Sequence, residues 1–150
     1  MLSQNMGELS VGCNSTFMNR SGLAVAEAAR FYKLDIESSV LILVDDVALR
    51  CGVIRVRAGG GTGGHNGLAD IDAKLGTDRY ARLRIGIDPP ATIPQAQYVL
   101  GRFRPDQLDA IAPALEEATE AAASWAVNGC EETMNRYNRK QTSSQAPEGA

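Results

Sequence analysis

Val40-Leu41-Ile42-Leu43-Val44-Asp45-Asp46 is the stretch that decides the fold. Five consecutive apolar residues leave the segment no polar face. Such a run marks a strand buried on both sides, as in a parallel sheet covered by helices. The two acids at its C-terminal end stand where open α/β sheets gather their active sites.

Working outward from this strand, the flanking sequence supplies the helices and further strands. Upstream, Leu23 to Tyr32 is alanine-rich with apolar residues at helical spacing, a helix following Ser21-Gly22. Downstream, Val53-Ile54-Arg55-Val56-Arg57 alternates, with Arg55 and Arg57 on one face. Arg82-Leu83-Arg84-Ile85-Gly86-Ile87 does the same with Arg82 and Arg84. Between them lie a loop, Gly59-Gly60-Gly61-Thr62-Gly63-Gly64-His65-Asn66-Gly67, and a short helix from Leu68 to Leu75 stopped by Gly76. Pro89-Pro90 breaks the chain after the second basic strand. A long helix opens at Pro105-Asp106 and ends near Asn128-Gly129, with its apolar stripe expected at Leu108, Ile111, Ala112, Leu115, Ala118, Ala122 and Trp125. One or two further helical turns are expected to carry Met134, Arg136 and Tyr137. The expected fold is α/β: a single domain over residues 1–140, a twisted mixed β-sheet flanked by helices on both sides. Residues 141–150, rich in Ser, Gln, Pro and Gly, are expected to be a disordered tail.

Composition narrows the function classes. The chain has 150 residues, enough for one domain with a real core. No apolar run approaches the roughly 18 residues of a membrane helix, and the first eleven residues lack the basic start and apolar stretch of a secretory signal. Three widely spaced cysteines, Cys13, Cys51 and Cys130, form no metal-type pair, so free thiols in a reducing cytoplasm are expected. Net charge is −3, yet residues 50–104 hold nine Lys/Arg against four acids, a local +5. Residues 1–49 sum to −3 and residues 105–150 to −5. A basic middle in an acidic chain suggests a focused anion-binding face; solvated surface charge would give the same counts.

Several motifs carry more than one reading. Gly59, Gly61 and Gly64 satisfy G-x-G-x-x-G, with Asp88 placed where a ribose-binding acid could sit. A dinucleotide-binding enzyme is therefore an alternative, although a strand alternating with arginines is unlike an apolar first strand of that fold. His65, the only histidine, is either a structural residue or a base. Asp45-Asp46 could cap the strand or hold a metal, but no companion ligands stand out. Asn19 could be a helix N-cap.

Taken in order, Thr16-Phe17-Met18-Asn19-x-Ser21-Gly22, Val44-Asp45-Asp46, the loop from Gly59 to Leu68, Arg82 to Ile87, and Val99-Leu100-Gly101 resemble the bacterial-type peptidyl-tRNA hydrolase family. The likeness runs from about Ser15 to about Arg139, and the set of motifs is far more specific than any one of them. It implies hydrolysis of the ester between a peptide and the terminal ribose of tRNA, without metal or cofactor, by a cytoplasmic monomer. Asp45 would orient a histidine base. Asn19 and Asn66 would hold the peptide and the water and stabilise the oxyanion. Phe17 would touch the terminal nucleotide, and Arg57 and Arg84 would grip tRNA phosphate, a role suited to arginine's fork. His65 is an additional candidate.

The sequence also departs from the family. The family's opening strand, its Gly-Asn-Pro-Gly turn and its Arg-His-Asn motif, which supplies the base, have no counterpart here. The Lys-Pro before Phe-Met-Asn reads Cys13-Asn14, and a Leu-Pro pair reads Arg50-Cys51. His65 matches a different family histidine. The expectation is therefore an N-terminally incomplete domain, poorly matched over residues 1–14, whose Asp45 has no imidazole to orient and whose sheet shows an open edge at Val40–Val44. A catalytically dead tRNA- or RNA-binding relative is the alternative this raises.

Overall fold

The computed structural model describes residues 2–5, 8–11, 21–94, 97–98 and 101–144. Five strands form one mixed sheet: β1 (Leu2–Asn5), β2 (Glu8–Val11), β3 (Val40–Asp46), β4 (Ile54–Arg57) and β5 (Ala81–Gly86), in the spatial order β2-β1-β3-β5-β4. β3 and β5 run parallel, with Leu41 opposite Ala81 and Asp46 opposite Gly86. β4 closes one edge antiparallel to β5, and the β1–β2 hairpin lies on the other side. Leu2 and Ser3 of β1 pair with Leu41 and Val40, so the start of the β3 edge is covered, a pairing the open-edge expectation did not include.

Two apolar clusters show why the sheet is clad on both faces. Val40 and Ile42 meet Val25 of α1 (Ser21–Phe31) and Leu68 and Ile71 of α3 (Asn66–Leu75) on one side. Leu41, Ile54, Val56 and Leu83 meet Ala114, Ala118, Ala121 and Trp125 of α4 (Pro105–Asn128) on the other. Alternation of side chains along each strand produces this division. α1 and α3 touch backbone to backbone: the Gly22 N–H donates to Asp70 Oδ2 at 2.7 Å, and a Cβ on Gly22 would lie 2.3 Å from the Asp70 carbonyl oxygen. The described residues also form the single turn α2 (Ile36–Ser39) and α5 (Cys130–Ser144), which packs on β4.

Four expectations are corrected. Leu43 is 38% exposed, so β3 is not buried on both faces along its length. The buried stripe of α4 is rotated: Leu108 and Leu115 face solvent, while Gln107, Ile111, Ala114, Ala118, Ala121 and Trp125 are buried. Small alanines let α4 approach the sheet closely, and Gln107 is buried because its amide donates to the Ile87 carbonyl, Asp88 Oδ2 and Tyr98 Oη. α5 runs on to Ser144, so residues 141–144 of the expected tail are helical. The dinucleotide reading also falls: the strand before the glycine loop, β4, is an edge strand antiparallel to β5, not the first strand of a parallel βαβ unit. Asp88, moreover, is engaged with the Cys51 amide and Gln107.

Candidate active site

At the C-terminal end of β3, two neighbouring carboxylates are used differently. Asp45 reaches His65, whose Nε2 lies 3.1 Å from Asp45 Oδ1. Asp46 reaches Arg84 of β5, with Nη1 3.2 Å from Asp46 Oδ2. Both acids line one shallow depression with Thr62, Gly63, His65 and Arg84.

His65 is placed by the start of α3. Its backbone is extended (φ −76°, ψ 114°), the geometry of an N-cap, and its Nδ1 accepts the Leu68 N–H at 3.2 Å. A backbone N–H can only donate, so Nδ1 must carry the lone pair and the ring proton must sit on Nε2, directed at Asp45. Both nitrogens are then engaged, and no lone pair remains to take a proton from water. The expectation that Asp45 would have no imidazole is corrected: His65 is its partner, brought there because the glycine loop returns the chain to the end of β3. The His65 hydrogen bond holds the Asp45 carboxyl below the usual carboxylate range, outweighing the opposite pull of burial. Asn66, the first residue of α3, is exposed at the same end of the sheet.

The arginines form a second constellation. Register sets Arg55 opposite Arg84 and Arg57 opposite Arg82, so all four share one face of the β4–β5 pair. Like charges directly opposed across strands are unfavourable unless compensated. Arg82, fully buried, donates to the carbonyls of Gly61 (3.2 Å) and Asp78 (2.7 Å), and its guanidinium carbon lies 4.4 Å from the centroid of the Tyr80 ring. Arg84 donates to the same Gly61 carbonyl at 2.8 Å. Two guanidinium groups thus fasten the middle of the glycine loop. Beyond that anchor, Gly63 and Gly64 take positive φ (60° and 80°), which turns the chain into His65. Arg57 is exposed, and Arg55 is half-buried with an Nε that has no hydrogen-bond partner.

Of the residues expected from sequence, Asp45, His65, Asn66 and Arg84 converge on the strand ends around the glycine loop. Arg57 sits on the same arginine face, two residues along β4 from Arg55. Phe17 and Asn19 lie outside the described residues. Sequence reasoning missed the anchoring by Arg82 and the pairing of Asp46 with Arg84. The alternation that places Arg82 and Arg84 on one face was the available signal; which arginine turns inward depends on tertiary packing. Among the described residues no group of three or more His, Cys, Asp or Glu is arranged to hold a metal. No helix among them is long and apolar enough to cross a membrane.

Comparison with known proteins bears on this arrangement. The family model described as peptidyl-tRNA hydrolase matches residues 3–145, beginning earlier than the motifs alone suggest. The peptidyl-tRNA hydrolase of Rhodopirellula baltica is 43% identical over 127 residues, covering 84% of this chain and 66% of that protein. That of Symbiobacterium thermophilum is 46% identical over 124 residues, covering 82% and 65%. The crystal structure of peptidyl-tRNA hydrolase from Acinetobacter baumannii superposes with a TM-score of 0.75 at 35% identity, covering 82% of this chain and 62% of that one. The chain therefore spans just under two thirds of the length of the curated relatives it matches.

Proposed function

The chain belongs to the peptidyl-tRNA hydrolase family, and on that premise we propose that it serves hydrolysis of the ester bond joining a peptide to the terminal ribose of tRNA, in the cytoplasm, as a monomer. The observation that carries the reading is the convergence, around one glycine loop, of an oriented carboxylate and an arginine face. In this reaction water attacks the ester carbonyl, an oxyanion develops, and the ribose oxygen leaves. Asn66 and Asn19 position the peptide and meet the oxyanion. Arg57 and Arg84 meet tRNA phosphate, and Phe17 meets the terminal nucleotide.

The attacking water needs a base. His65 does not fill that role as placed, because Leu68 and Asp45 occupy both of its nitrogens. Asp45 acts by orienting an imidazole beside it, and the resemblance assigns that base to a segment without counterpart in this sequence. Family membership lends no support to the alternative of a catalytically dead RNA-binding relative. The test is release of free tRNA from N-blocked aminoacyl-tRNA, by the chain alone and by the chain preceded by the family's opening segment. The extended form is expected to turn over, and Asp45→Asn to slow it by roughly 10²–10⁴-fold, the usual worth of a general-base step. No release from either form would overturn the hydrolase reading. Robust release by the chain alone that His65→Ala abolishes would make His65 the base.

A further inference from the structure

Arg84 is not a free cation awaiting a ligand. Its Nη1 lies 3.2 Å from Asp46 Oδ2, and the two side chains are only 19% and 12% exposed. Asp46 cannot readily swing aside, because its Oδ1 accepts the Ala48 N–H at 2.8 Å and its backbone carbonyl accepts the Ile87 N–H at 3.1 Å. Arg84 is tethered as well, through Nη2 on the Gly61 carbonyl. The contact is a single N–H···O approach, not the two-bond fork that makes arginine–carboxylate pairs strong. An anion arriving at Arg84 therefore meets a fixed carboxylate already holding one edge of the guanidinium, in a depression that Asp45 and Asp46 both line.

We propose that Asp46 is a specificity-determining residue that competes internally with RNA phosphate for Arg84 and so sets how loosely the site holds tRNA. This rests on the reading above that Arg84 meets phosphate. A phosphate must share or displace a carboxylate, and like-charge proximity in a partly buried site is costly. The consequence suits a hydrolase whose product is the larger part of its substrate: free tRNA leaves because one anchoring cation is already half satisfied. Arg55 and Arg57, on the same face of the β4–β5 pair and in no ion pair among the described residues, supply charge that draws the RNA in.

The purified chain is titrated with deacylated tRNA, comparing wild type, Asp46→Asn, Asp46→Ser, Arg84→Ala and the Asp46→Asn/Arg84→Ala double variant. Asn and Ser both keep an acceptor for the Ala48 N–H, and melting curves check that each variant folds. Asp46→Asn is expected to tighten tRNA binding on the order of tenfold, between the worth of surface and buried charge pairs, mostly through slower dissociation. Its salt slope should stay at the wild-type value, because the number of cations on phosphate is unchanged. The gain should vanish in the double variant. Weaker or unchanged binding in folded Asp46→Asn and Asp46→Ser, or a gain that survives loss of Arg84, overturns the competition while leaving the phosphate role of Arg84 standing. Unchanged binding in Arg84→Ala alone overturns that role and this inference with it.

Discussion

His65 Nε2 faces Asp45 Oδ1 at 3.1 Å while its Nδ1 accepts the Leu68 amide at 3.2 Å, so one imidazole joins the end of β3 to the first turn of α3. The ring is fixed as the Nε2–H tautomer because only that form satisfies both partners. With a single histidine in the chain, long-range ¹⁵N spectra give an unambiguous reading. One protonated nitrogen shift and one bare one, assigned to Nε2 and Nδ1 respectively, are expected at neutral pH. A proton on Nδ1 would mean that the Leu68 N–H does not donate to it, and a bare Nε2 that the ring does not donate to Asp45.

The two halves of that link are separable by substitution. Asn at position 65 can still cap α3 through its side-chain oxygen but is too short to hold Asp45; Ala does neither. Losing the cap costs about 1 kcal/mol. His65→Ala should therefore be less stable than His65→Asn by about that amount, while both lose the Asp45 contact. Chemical denaturation at neutral pH measures the difference, and equal stabilities would remove the capping role.

Asp45 gives the pH dependence its sign. Its carboxyl is held below the ordinary value of 3.8, chiefly by the His65 hydrogen bond. A depressed carboxylate adds stability that is fully present above the unfolded value and fades as pH falls through the lower folded value. Acid titration should show wild type losing stability below about pH 4. Asp45→Asn should flatten that part of the curve, and so should His65→Asn, by letting the carboxyl relax toward its ordinary value. A curve that Asp45→Asn leaves unaltered would show that this carboxylate contributes nothing to acid sensitivity.

Arg57 and Arg84 should not behave alike. Arg57 is exposed at the edge of the sheet, so Arg57→Ala should weaken tRNA binding uniformly, lower the salt slope by about one unit and leave the melting temperature in place. Arg84 also fastens Gly61 and pairs with Asp46. Arg84→Ala should therefore loosen the glycine loop as well as lower the slope, read as faster amide exchange at Gly61–His65. Identical exchange in the two variants would deny Arg84 its structural part.

What the sequence made legible follows from locality. The apolar run of β3, the alternation of β4 and β5 and the stop at Gly76 are written in consecutive residues, and each element formed within a residue or two of its expected bounds. The face of α4 was misread because Leu108 and Leu115 are apolar yet point outward, while Gln107 is polar yet buried by three hydrogen bonds to residues 9 to 20 positions away. Of the residues that motif likeness singled out, Asp45, Asn66 and Arg84 lie together at the strand ends around the glycine loop. The likeness did not find that Asp45 and His65, 20 residues apart, are partners. Nor did it find that Arg82 and Arg84 both donate to the Gly61 carbonyl, contacts across about 20 residues that no local pattern encodes.

The longest-range of these tertiary dependences concerns the sheet edge. β4 pairs with β5 on one side only, and an edge strand left bare invites pairing with another chain. Asn138 of α5, 82 residues away, serves Val56 as a neighbouring strand would: its Oδ1 accepts the Val56 N–H at 3.0 Å and its Nδ2 donates to the Val56 carbonyl at 2.9 Å. Val56 is fully buried, so removing the amide strands a donor and an acceptor that water reaches poorly. Asn138→Ala is expected to cost about 2 kcal/mol, a fall in melting temperature of about 4–8 °C for a chain of this length. Asn138→Asp should be worse, since it keeps an acceptor for the Val56 N–H but sets a charged oxygen against the carbonyl. Both variants should also associate more readily as β4 is uncovered, and light scattering at rising concentration reads that directly. A melting temperature within about one degree of wild type for Asn138→Ala, with no added scattering, would show that α5 holds β4 by apolar packing alone.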